Sequence, residues 1–528
     1  MSYFTSSRSG RGRKRKKKEF EGGPWAQFKH DLRDAAERHY KRTSAAHKRF
    51  AFLLIVGGAL LRIWCATLPI TPEEAIAYMA FATGDLGDAI SNYALPSNHV
   101  FHTVLMRWST GLFGMNMIAM RLPALLASVL VLPLFYLLVR SLFNRYIALM
   151  ALAMACAFPP MIELSALATG YSITWLCWIA ALVLGRHLVR ENNLVSAVLL
   201  GIVCAFGMWA VPSMLPMALM VFLWVMFSVL TKYERSVGER MGRLGLAVVL
   251  FTVLTVLLYL PVIFSHGLDQ LFHHATEQQY SWTNFGRTYA DRVFDLWVWI
   301  IDATYWWVAV LGFIGLTQAA YISAKYRTIV FATVLSAVPI TLAKADVGDP
   351  YQWSYLLFVF HIGSSIALFY LLKFVQDKLI KNFGTRGRTA GAAAVLFVGF
   401  VVPGMSVVQE RVPHLPEAKA AAEFLSVAMA PADRLCMDPY WEASIAFHLQ
   451  VLERDAIELR GYPRPGGTQY GVVAEPNGQP LPIVLLRCAQ EMDDYEKPVL
   501  VKDWERMGIF AARLRNGGAT LPPIPEQQ

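Results

Sequence analysis

Residues 50–70 read FAFLLIVGGALLRIWCATLPI and are followed directly by TPEEAIAY at residues 71–78. The first segment is long enough to cross the hydrocarbon core of a bilayer, because a spanning helix takes about 20 mostly apolar residues. The second segment brings two adjacent glutamates, Glu73 and Glu74, to the point where the chain leaves the bilayer. This stretch therefore predicts a membrane protein that holds acid chemistry at a membrane surface.

The composition of the whole chain agrees with this class. Of the 528 residues, 55% are hydrophobic and only 16% are charged, and the mean hydropathy is +0.41. These values exclude an ordinary soluble protein. The net charge of +10 suits nucleic acid, but the basic residues gather at chain ends and between apolar runs, as they do when they encode membrane topology. We therefore expect membrane lipid and no nucleic acid as a partner.

The N-terminal segment, residues 1–49, holds fifteen lysines and arginines. We interpret it as a largely disordered cytoplasmic tail attracted to anionic lipid, at about 1 kcal/mol per basic residue near the surface. Nuclear targeting or nucleic-acid binding is the alternative. A cleaved signal peptide is disfavoured, because the charged N-terminal segment is too long for one and the apolar run after it is long enough to span the membrane.

Residues 50–406 predict an α-helical polytopic domain with about eleven spans. The apolar segments lie at approximately 50–69, 117–139, 146–162, 168–188, 194–211, 213–231, 244–264, 297–322, 327–342, 352–373 and 389–406. With the N-terminus in the cytoplasm, the cytoplasmic connections carry fifteen basic residues and the outer ones far fewer, as the positive-inside rule requires. An odd number of spans then places the loop at residues 70–116 outside the cytoplasm.

The same count places residues 407–528 outside, as a separate soluble domain. This tail has seventeen acidic and twelve basic residues, so its net charge is opposite to that of the preceding chain. Residues 416–430 predict a helix, 434–437 and 482–488 predict short strands, and 462–467 predict a loop, which together indicate a small α/β domain. An oxidising compartment permits a disulfide between Cys436 and Cys488, and two free thiols are the alternative.

Three carboxylates are candidates for chemistry at the outer face. Adjacent residues on a helix point about 100° apart, so one of Glu73 and Glu74 is expected to face a cavity while the other supports it. A carboxylate shielded from water can act as a general base on an acceptor hydroxyl or amine. The alternative is an ordinary acidic pair at a helix N-terminus. Glu163, which follows the proline pair at residues 159–160, is expected at the same membrane face.

Two arginines and two histidines are expected near these acids. Arg62 lies inside the first apolar run, where an ionisable group usually faces a polar cavity or a partner; snorkelling to the surface is the alternative. Arg121 either anchors the second span or, with Arg62, grips a phosphate bidentately. His99 and His102 share one face of a predicted interfacial helix, and a structural role is their alternative.

No metal or cofactor is expected. The two histidines resemble half of a metal site, but no second ligand pair accompanies them, so a divalent metal is not supported. Residues 278–282 and 351–355 offer aromatic and amide groups suited to sugar binding, and an aromatic belt at the membrane interface is the alternative interpretation.

Four motifs follow one another in the chain: the acidic pair at residues 73–74, PSNHVFH at 96–102, LFG at 112–114 and RLP at 121–123. Their order resembles glycosyltransferase family 39 and its polytopic relatives, which include protein O-mannosyltransferases and lipid A aminoarabinose transferases. The resemblance is strongest over residues 50–190 and implies a C-type glycosyltransferase fold through about residue 406.

This resemblance implies an enzyme that takes its sugar from a polyprenyl-phosphate carrier and keeps its catalytic acid in the first outer loop. Glu73 stands where the family has an aspartate. Tyr171 matches a tyrosine of the family, and Thr169 stands where an arginine is often found. The expected substrate-binding or lipid-phosphate-binding residues are Arg62, His99, His102, Arg121, Glu163 and Tyr171, with Glu73 and Glu74 catalytic.

On this basis we expect a hexosyl- or pentosyltransferase in a bacterial inner membrane, multi-pass, with its N-terminus in the cytoplasm and its C-terminal domain in the periplasm. The acceptor is left open between a lipid, a glycan and a protein. A lipid or solute transporter, or an assembly subunit with the same fold, is the alternative. A transporter would be favoured by paired inverted repeats, and none is evident in the sequence.

Overall fold

The computed structural model describes residues 22–41, 43–95, 97–232, 236–267, 285–344, 347–379, 385–411, 414–454, 462–474 and 479–515. Over these ranges the chain forms a bundle of long helices followed by a small unit of helices and strands, which confirms the predicted fold class. Residues 1–21 of the basic tail and the aromatic segment 278–282 lie outside the described residues.

The helices up to residue 411 are numbered in chain order. They are α1 (Pro24–Lys41), α2 (Ala45–Cys65), α3 (Pro72–Ala77), α4 (Leu86–Ser91), α5 (Val100–Phe113), α6 (Met117–Leu142), α7 (Arg145–Ala157), α8 (Pro159–Ala166), α9 (Tyr171–Glu191), α10 (Leu194–Ala210), α11 (Met214–Lys232), α12 (Val237–His266), α13 (Phe285–Thr304), α14 (Trp306–Ile322), α15 (Ala324–Lys344), α16 (Tyr355–Leu379) and α17 (Thr385–Arg411). A π-helical turn, Tyr78–Ala82, continues α3, and a 3₁₀ turn, Pro350–Trp353, precedes α16.

Six of the described helices are long and apolar enough to cross a membrane: α6, α9, α11, α12, α16 and α17. The number rises to eight if the pairs α7–α8 and α13–α14, bent by 61° and 108°, each count as one span. α2 also has the length of a span but contains Lys48, Arg49 and Arg62. The number of about eleven spans therefore stays a prediction.

The structure differs in detail from two predictions along the chain. Residues 297–322, predicted as one span, belong to α13 and α14, which meet at Tyr305, where φ is 57°. The basic tail, predicted to be largely disordered, contains α1. Its Phe28 packs edge-on against the ring of His187 at 5.3 Å, and Asn193 Nδ2 donates to the Pro24 carbonyl, so contact with the bundle orders this part of the tail.

The core of the bundle lies around α7. Every residue from 147 to 157 is buried, because α7 packs against α2, α6, α16 and α17. Its alanines let the neighbouring helices approach closely, and its methionines and leucines fill the spaces between them. α7 ends at residue 157 because Pro159 and Pro160 have no N–H to continue the helical hydrogen bonds.

After α17 the chain forms a C-terminal unit that contains a four-stranded sheet. Its elements are α18 (Pro416–Ala428), β1 (Arg434–Met437), α19 (Pro439–Val451), β2 (Thr468–Ala474), α20 (Leu481–Arg487), β3 (Val499–Trp504) and β4 (Met507–Arg513). The strand order is β1-β2-β4-β3, with β1 parallel to β2 and the other neighbours antiparallel. The predicted strand at 434–437 is confirmed by β1, and the predicted helix at 416–430 by α18.

The predicted strand at residues 482–488 was wrong, because residues 482–487 belong to α20 and Cys488 follows it. Short apolar runs do not distinguish a strand from a buried helical turn, and a proline at the first turn favours the helix start here. A disulfide joins Cys436 of β1 to Cys488 after α20, with the Cα atoms 6.3 Å apart. The structure thus has the disulfide and not the two free thiols, and this link fastens α20 to the sheet.

Candidate active site

The acidic pair lies on a short helix that begins with a capping box. Thr71 is the N-cap of α3: its Oγ1 accepts a hydrogen bond from the Glu74 N–H at 3.3 Å, and Glu74 Oε2 accepts one from the Thr71 N–H at 3.1 Å. This reciprocal pair fixes the first turn, and Pro72 at the first helical position is preorganised for it. The two glutamates therefore leave a rigid helix start in different directions.

Glu74 forms a buried ion pair with Arg121, and neither side chain is exposed. Arg121 Nε donates to Glu74 Oε1 at 2.7 Å and Nη2 donates to Oε2 at 2.6 Å, while the Ala168 N–H donates to Oε1 at 2.7 Å. Burial alone would raise the pKa of Glu74, but the guanidinium charge and these hydrogen bonds outweigh it and hold the pKa below its usual range. Glu74 is therefore an ionised group with a structural function.

Arg121 has no donor left for a substrate. Its Nη1 donates to the carbonyls of Ala66 and Leu68 at 3.0 and 2.6 Å, and its Nη2 to that of Pro69 at 3.1 Å. With the two bonds to Glu74, all five N–H groups of the guanidinium are occupied. In this structure Arg121 and Glu74 form a buried clamp that holds the chain before α3, and their expected roles as phosphate ligand and catalytic residue stay predictions.

Arg62 stabilises the break between α7 and α8. It is 2% exposed, its Nη2 donates to the Ala155 carbonyl at 3.0 Å, and its Nη1 donates to the Cys156 carbonyl at 3.2 Å. In a continuous helix these carbonyls would accept from the N–H groups of residues 159 and 160, which are prolines and have none. Arg62 therefore replaces two missing donors in this structure, and its expected role as a phosphate ligand stays a prediction.

We expect Arg62→Met to lower the thermal unfolding midpoint of the protein in lipid nanodiscs, because each buried carbonyl left unsatisfied costs about 1–3 kcal/mol. The loss should be much smaller when Pro159 and Pro160 are both replaced by alanine, because the alanine N–H groups can then bond the same carbonyls. Arg49→Met, at an exposed position of α2, is the control and should not shift the midpoint. Equal destabilisation by Arg62→Met in both backgrounds would contradict this role.

Glu73 differs from Glu74 in solvent exposure, in hydrogen bonding and in the direction of its pKa shift. Its side chain is solvent-accessible, and it makes no hydrogen bond or ion pair with the residues that the structure describes. The surrounding protein partly shields the carboxylate from water and, together with the negative charges of Asp349 and Glu74, raises the pKa of Glu73. A reachable carboxylate with a raised pKa has the properties of a general base.

His99 lies at the same site as a neutral hydrogen-bond donor. Its Nδ1 accepts a hydrogen bond from the Gly170 N–H at 2.9 Å, and its ring meets the Tyr171 ring edge-on with centroids 5.3 Å apart. Burial lowers the pKa of His99 to about 4, so the imidazole is neutral near pH 7 and carries its proton on Nε2. His99 can therefore donate a hydrogen bond to a ligand without bringing a positive charge.

His102 is in a different environment from His99, although the sequence placed both on one face. It is 1% exposed within α5, and its Nε2 has no hydrogen-bond partner among the described residues. Burial lowers the pKa of His102 to about 3. His102 is therefore a buried neutral residue behind the surface that carries His99.

Aromatic side chains continue the site beyond His99. The ring of Tyr171, at the start of α9, lies 6.5 Å from that of Tyr351, which in turn meets Trp299 edge-on at 5.9 Å. Asp349 starts the 3₁₀ turn that carries Tyr351, because its Oδ1 accepts the Tyr351 N–H at 2.8 Å. Aromatic faces of this kind suit the apolar face of a sugar ring.

Asp349 was missed by the sequence analysis. Its negative charge raises the pKa of Glu73 more than the charge of Glu74 does. The two residues nevertheless lie 276 positions apart in the chain. The signal in the sequence was the Asp-Pro step just before the aromatic segment 351–355, which marks a capped turn. Nothing in that step shows that the turn lies beside the acidic loop.

Glu163 lies on α8. It is buried within α8 at 6% exposure, near Cys65, and α8 packs against α2, α6 and α17. Within the described part of the chain, no group of three or more His, Cys, Asp or Glu side chains is arranged to hold a metal ion. The residues that the structure brings together are Glu73, His99, Tyr171, Tyr351 and Asp349.

Residues 100–259 match the family model described as dolichyl-phosphate-mannose-protein mannosyltransferase. The resemblance to glycosyltransferase family 39 that the motifs predicted is thereby confirmed.

Two solved structures of one protein show a similar fold. Two crystal structures of ArnT from Cupriavidus metallidurans, one bound to undecaprenyl phosphate and one in the apo state, each superimpose with a TM-score of 0.61 at 14% identity, over 89% of this chain and 98% of ArnT. The Archaeoglobus fulgidus oligosaccharyltransferase in complex with zinc and sulfate matches with a TM-score of 0.49 at 14% identity, over 79% of this chain and 67% of that protein. A comparison with curated protein sequences finds no match.

Proposed function

We propose that this protein is a membrane glycosyltransferase that moves a sugar from a polyprenyl-phosphate carrier to an acceptor, with Glu73 as the general base. The observation that carries the proposal is the difference between the two adjacent glutamates. Glu74 is locked against Arg121, whereas Glu73 is accessible and has no hydrogen bond or ion pair with the described residues. The ArnT fold, which in one structure holds undecaprenyl phosphate, supports a polyprenyl-phosphate donor.

The reaction is a single displacement at the anomeric carbon. Glu73 accepts the proton of the acceptor hydroxyl or amine while the acceptor atom forms its bond to that carbon. The bond from the carbon to the phosphate oxygen breaks in the same step, and its electron pair leaves with the lipid phosphate. Attack opposite the departing phosphate inverts the configuration at the anomeric carbon.

Neutral donors stabilise the leaving phosphate in this proposal. Arg62 and Arg121, the expected phosphate ligands, are occupied by backbone carbonyls and by Glu74. The described part of the site offers instead the Nε2–H of His99 and the hydroxyl of Tyr171. Hydrogen-bond donors that are already in position before the reaction stabilise the negative charge that develops on the phosphate.

The site faces the outside of a bacterial inner membrane in this proposal. Fifteen basic residues lie at the ends of α6, α9, α11, α14 and α16 or within the connections and helix starts that follow them, which favours a cytoplasmic location for that end of the bundle. The Cys436–Cys488 disulfide in the C-terminal unit favours an oxidising compartment at the end that carries Glu73. The acceptor is then a lipid, a glycan or a protein outside the cytoplasm.

Release of polyprenyl phosphate tests the proposed reaction. The full-length protein in lipid nanodiscs is mixed with a panel of polyprenyl-phosphate hexoses and pentoses and with lipid, glycan and peptide acceptors, and the released polyprenyl phosphate is quantified. We expect release that depends on both donor and acceptor. If no polyprenyl phosphate is released from any donor, the proposed enzymatic function is rejected, and an assembly subunit or a transporter is favoured.

The pH dependence of the rate follows from the environment of Glu73. A base acts only when deprotonated, so kcat/KM falls as the pH drops through the folded-state pKa of Glu73, which is raised above the usual carboxyl value. Asp349→Asn removes one of the charges that raise this pKa and should move the acid limb of kcat/KM to lower pH. Asp88→Asn, an exposed carboxylate of α4, is the control and should leave the limb in place. An acid limb that Asp349→Asn does not shift would contradict this account.

A further inference from the structure

The linker at residues 66–70 sets where Glu73 lies. It joins the end of α2 to the N-cap of α3 and forms neither helix nor strand, so its shape depends on the groups that bond its carbonyls. Arg121 binds three of these carbonyls, as described above. This contact comes from the membrane bundle and holds one side of the linker.

The C-terminal unit holds the other side of the linker. His414 Nδ1–H donates to the Pro69 carbonyl at 2.8 Å, and the Leu415 N–H donates to the Ile70 carbonyl at 3.1 Å. The Pro69 carbonyl thus accepts from Arg121 and from His414 together, which uses both of its lone pairs.

His414 is itself fixed by neighbours within the C-terminal unit. Arg506 Nη2 donates to the His414 carbonyl at 2.9 Å, and the same guanidinium pairs with the Glu417 carboxylate at 2.6 and 2.8 Å. The imidazole is 8% exposed, and its Nε2 has no partner among the described residues. Among the described residues, the imidazole of His414 therefore makes one hydrogen bond, the one to the Pro69 carbonyl.

The acidic helix shares its apolar core with the C-terminal unit. Phe447 of α19 is 1% exposed and meets the Tyr78 ring edge-on, with centroids 5.6 Å apart. Phe447 belongs to one buried cluster with Ile70, Ala75 and Tyr78. The position of α3 therefore depends on packing and hydrogen bonds that residues more than 340 positions later supply.

We propose that His414 is a positioning residue for Glu73, acting through the Pro69 carbonyl, so that the C-terminal unit completes the candidate active site. The inference rests on the proposed function, because it assigns His414 a role in the reaction of Glu73. Pro69 lies two residues before the N-cap Thr71, and α3 is only six residues long. A shift of Pro69 therefore moves the Glu73 carboxylate relative to the acceptor, and a displacement of about 1 Å can reduce a rate about 10²-fold.

The experiment compares three variants of the full-length protein in lipid nanodiscs. His414→Ala removes the donor, and His414→Asn restores an N–H near the position of Nδ1. Tyr495→Phe removes a different buried hydrogen bond of the same unit, from the Tyr495 hydroxyl to Gln490, and is the matched control. We expect His414→Ala to lower kcat by about 10- to 100-fold with little change in KM for the donor, His414→Asn to recover most of the loss, and Tyr495→Phe to behave like wild type.

Hydrogen exchange of the backbone amides of residues 71–78 is measured on the same samples. We expect faster exchange in His414→Ala, wild-type exchange in His414→Asn, and no change in Tyr495→Phe. Unchanged exchange in His414→Ala would overturn the inference, as would an unchanged kcat in an active protein. If wild type transfers no sugar, the proposed function fails, and the exchange data decide separately whether His414 holds the acidic helix.

Discussion

Replacing Glu73 with glutamine should lower the rate of polyprenyl-phosphate release by about 10²- to 10⁴-fold, the contribution of a positioned general base. Glutamine keeps the size and shape of the side chain but cannot accept the acceptor's proton. Because Glu73 makes no hydrogen bond or ion pair with the described residues, this change should leave the thermal unfolding midpoint close to that of wild type. The measurement is kcat for release together with the unfolding midpoint of the same sample.

Two further variants sharpen this prediction. Glu73→Asp keeps a carboxylate that can accept a proton and only shortens its reach, so this variant should retain more activity than Glu73→Gln. Asp88→Asn neutralises an exposed carboxylate of the same loop and should turn over at the wild-type rate. A Glu73→Gln protein that releases polyprenyl phosphate as fast as wild type would show that another group is the base.

Replacing Glu74 with glutamine should instead impair folding. The change leaves Arg121 charged, buried and without its carboxylate, and breaking a buried ion pair from one side costs about 3–5 kcal/mol. The variant should therefore show a much lower unfolding midpoint and a low yield of folded protein. The loss of activity that accompanies it would follow from the loss of the fold.

A double-mutant cycle separates the interaction free energy of Glu74 with Arg121 from the effect that each residue has on its own. If the ion pair is the cause, Glu74→Gln combined with Arg121→Met should be less destabilised than the sum of the two single variants, because no unpaired charge then remains buried. Strict additivity would show that the two residues act independently. Adjacent glutamates with opposite phenotypes, one affecting turnover and the other stability, are the most direct test of the roles assigned here.

The resemblance and the apolar runs were sufficient to predict the class of fold. Residues 50–406 carry helix-length apolar segments that leave few alternatives to a membrane bundle, and the order of motifs from Glu73 to Arg121 pointed to a C-type glycosyltransferase. The strand at 434–437 and the helix at 416–430 also followed from local patterns. Each of these features depends on residues that are close together in the chain.

The roles of individual site residues were harder to predict. Arg62 and Arg121 are the kind of residues that bind phosphate, and their sequence positions fit that function. In the structure their donors are taken by carbonyls of residues 155–156 and of the linker at 66–70. A sequence shows that a buried arginine needs partners, but it does not show which acceptors lie within reach.

Local sequence thus settled the features that arise from short-range chemistry: apolar length for the long helices, Thr71 and Glu74 for the helix cap, and the placement of two glutamates shortly after a long apolar helix. Long-range packing settled which glutamate remains available to a substrate. The choice depends on Arg121, Ala168 and Asp349, which lie 47, 94 and 276 residues away from the acidic pair in the chain. Charge and hydrogen-bond contacts act over a few ångströms in space, so their effect on Glu73 and Glu74 exists only once the helices have brought those distant residues together.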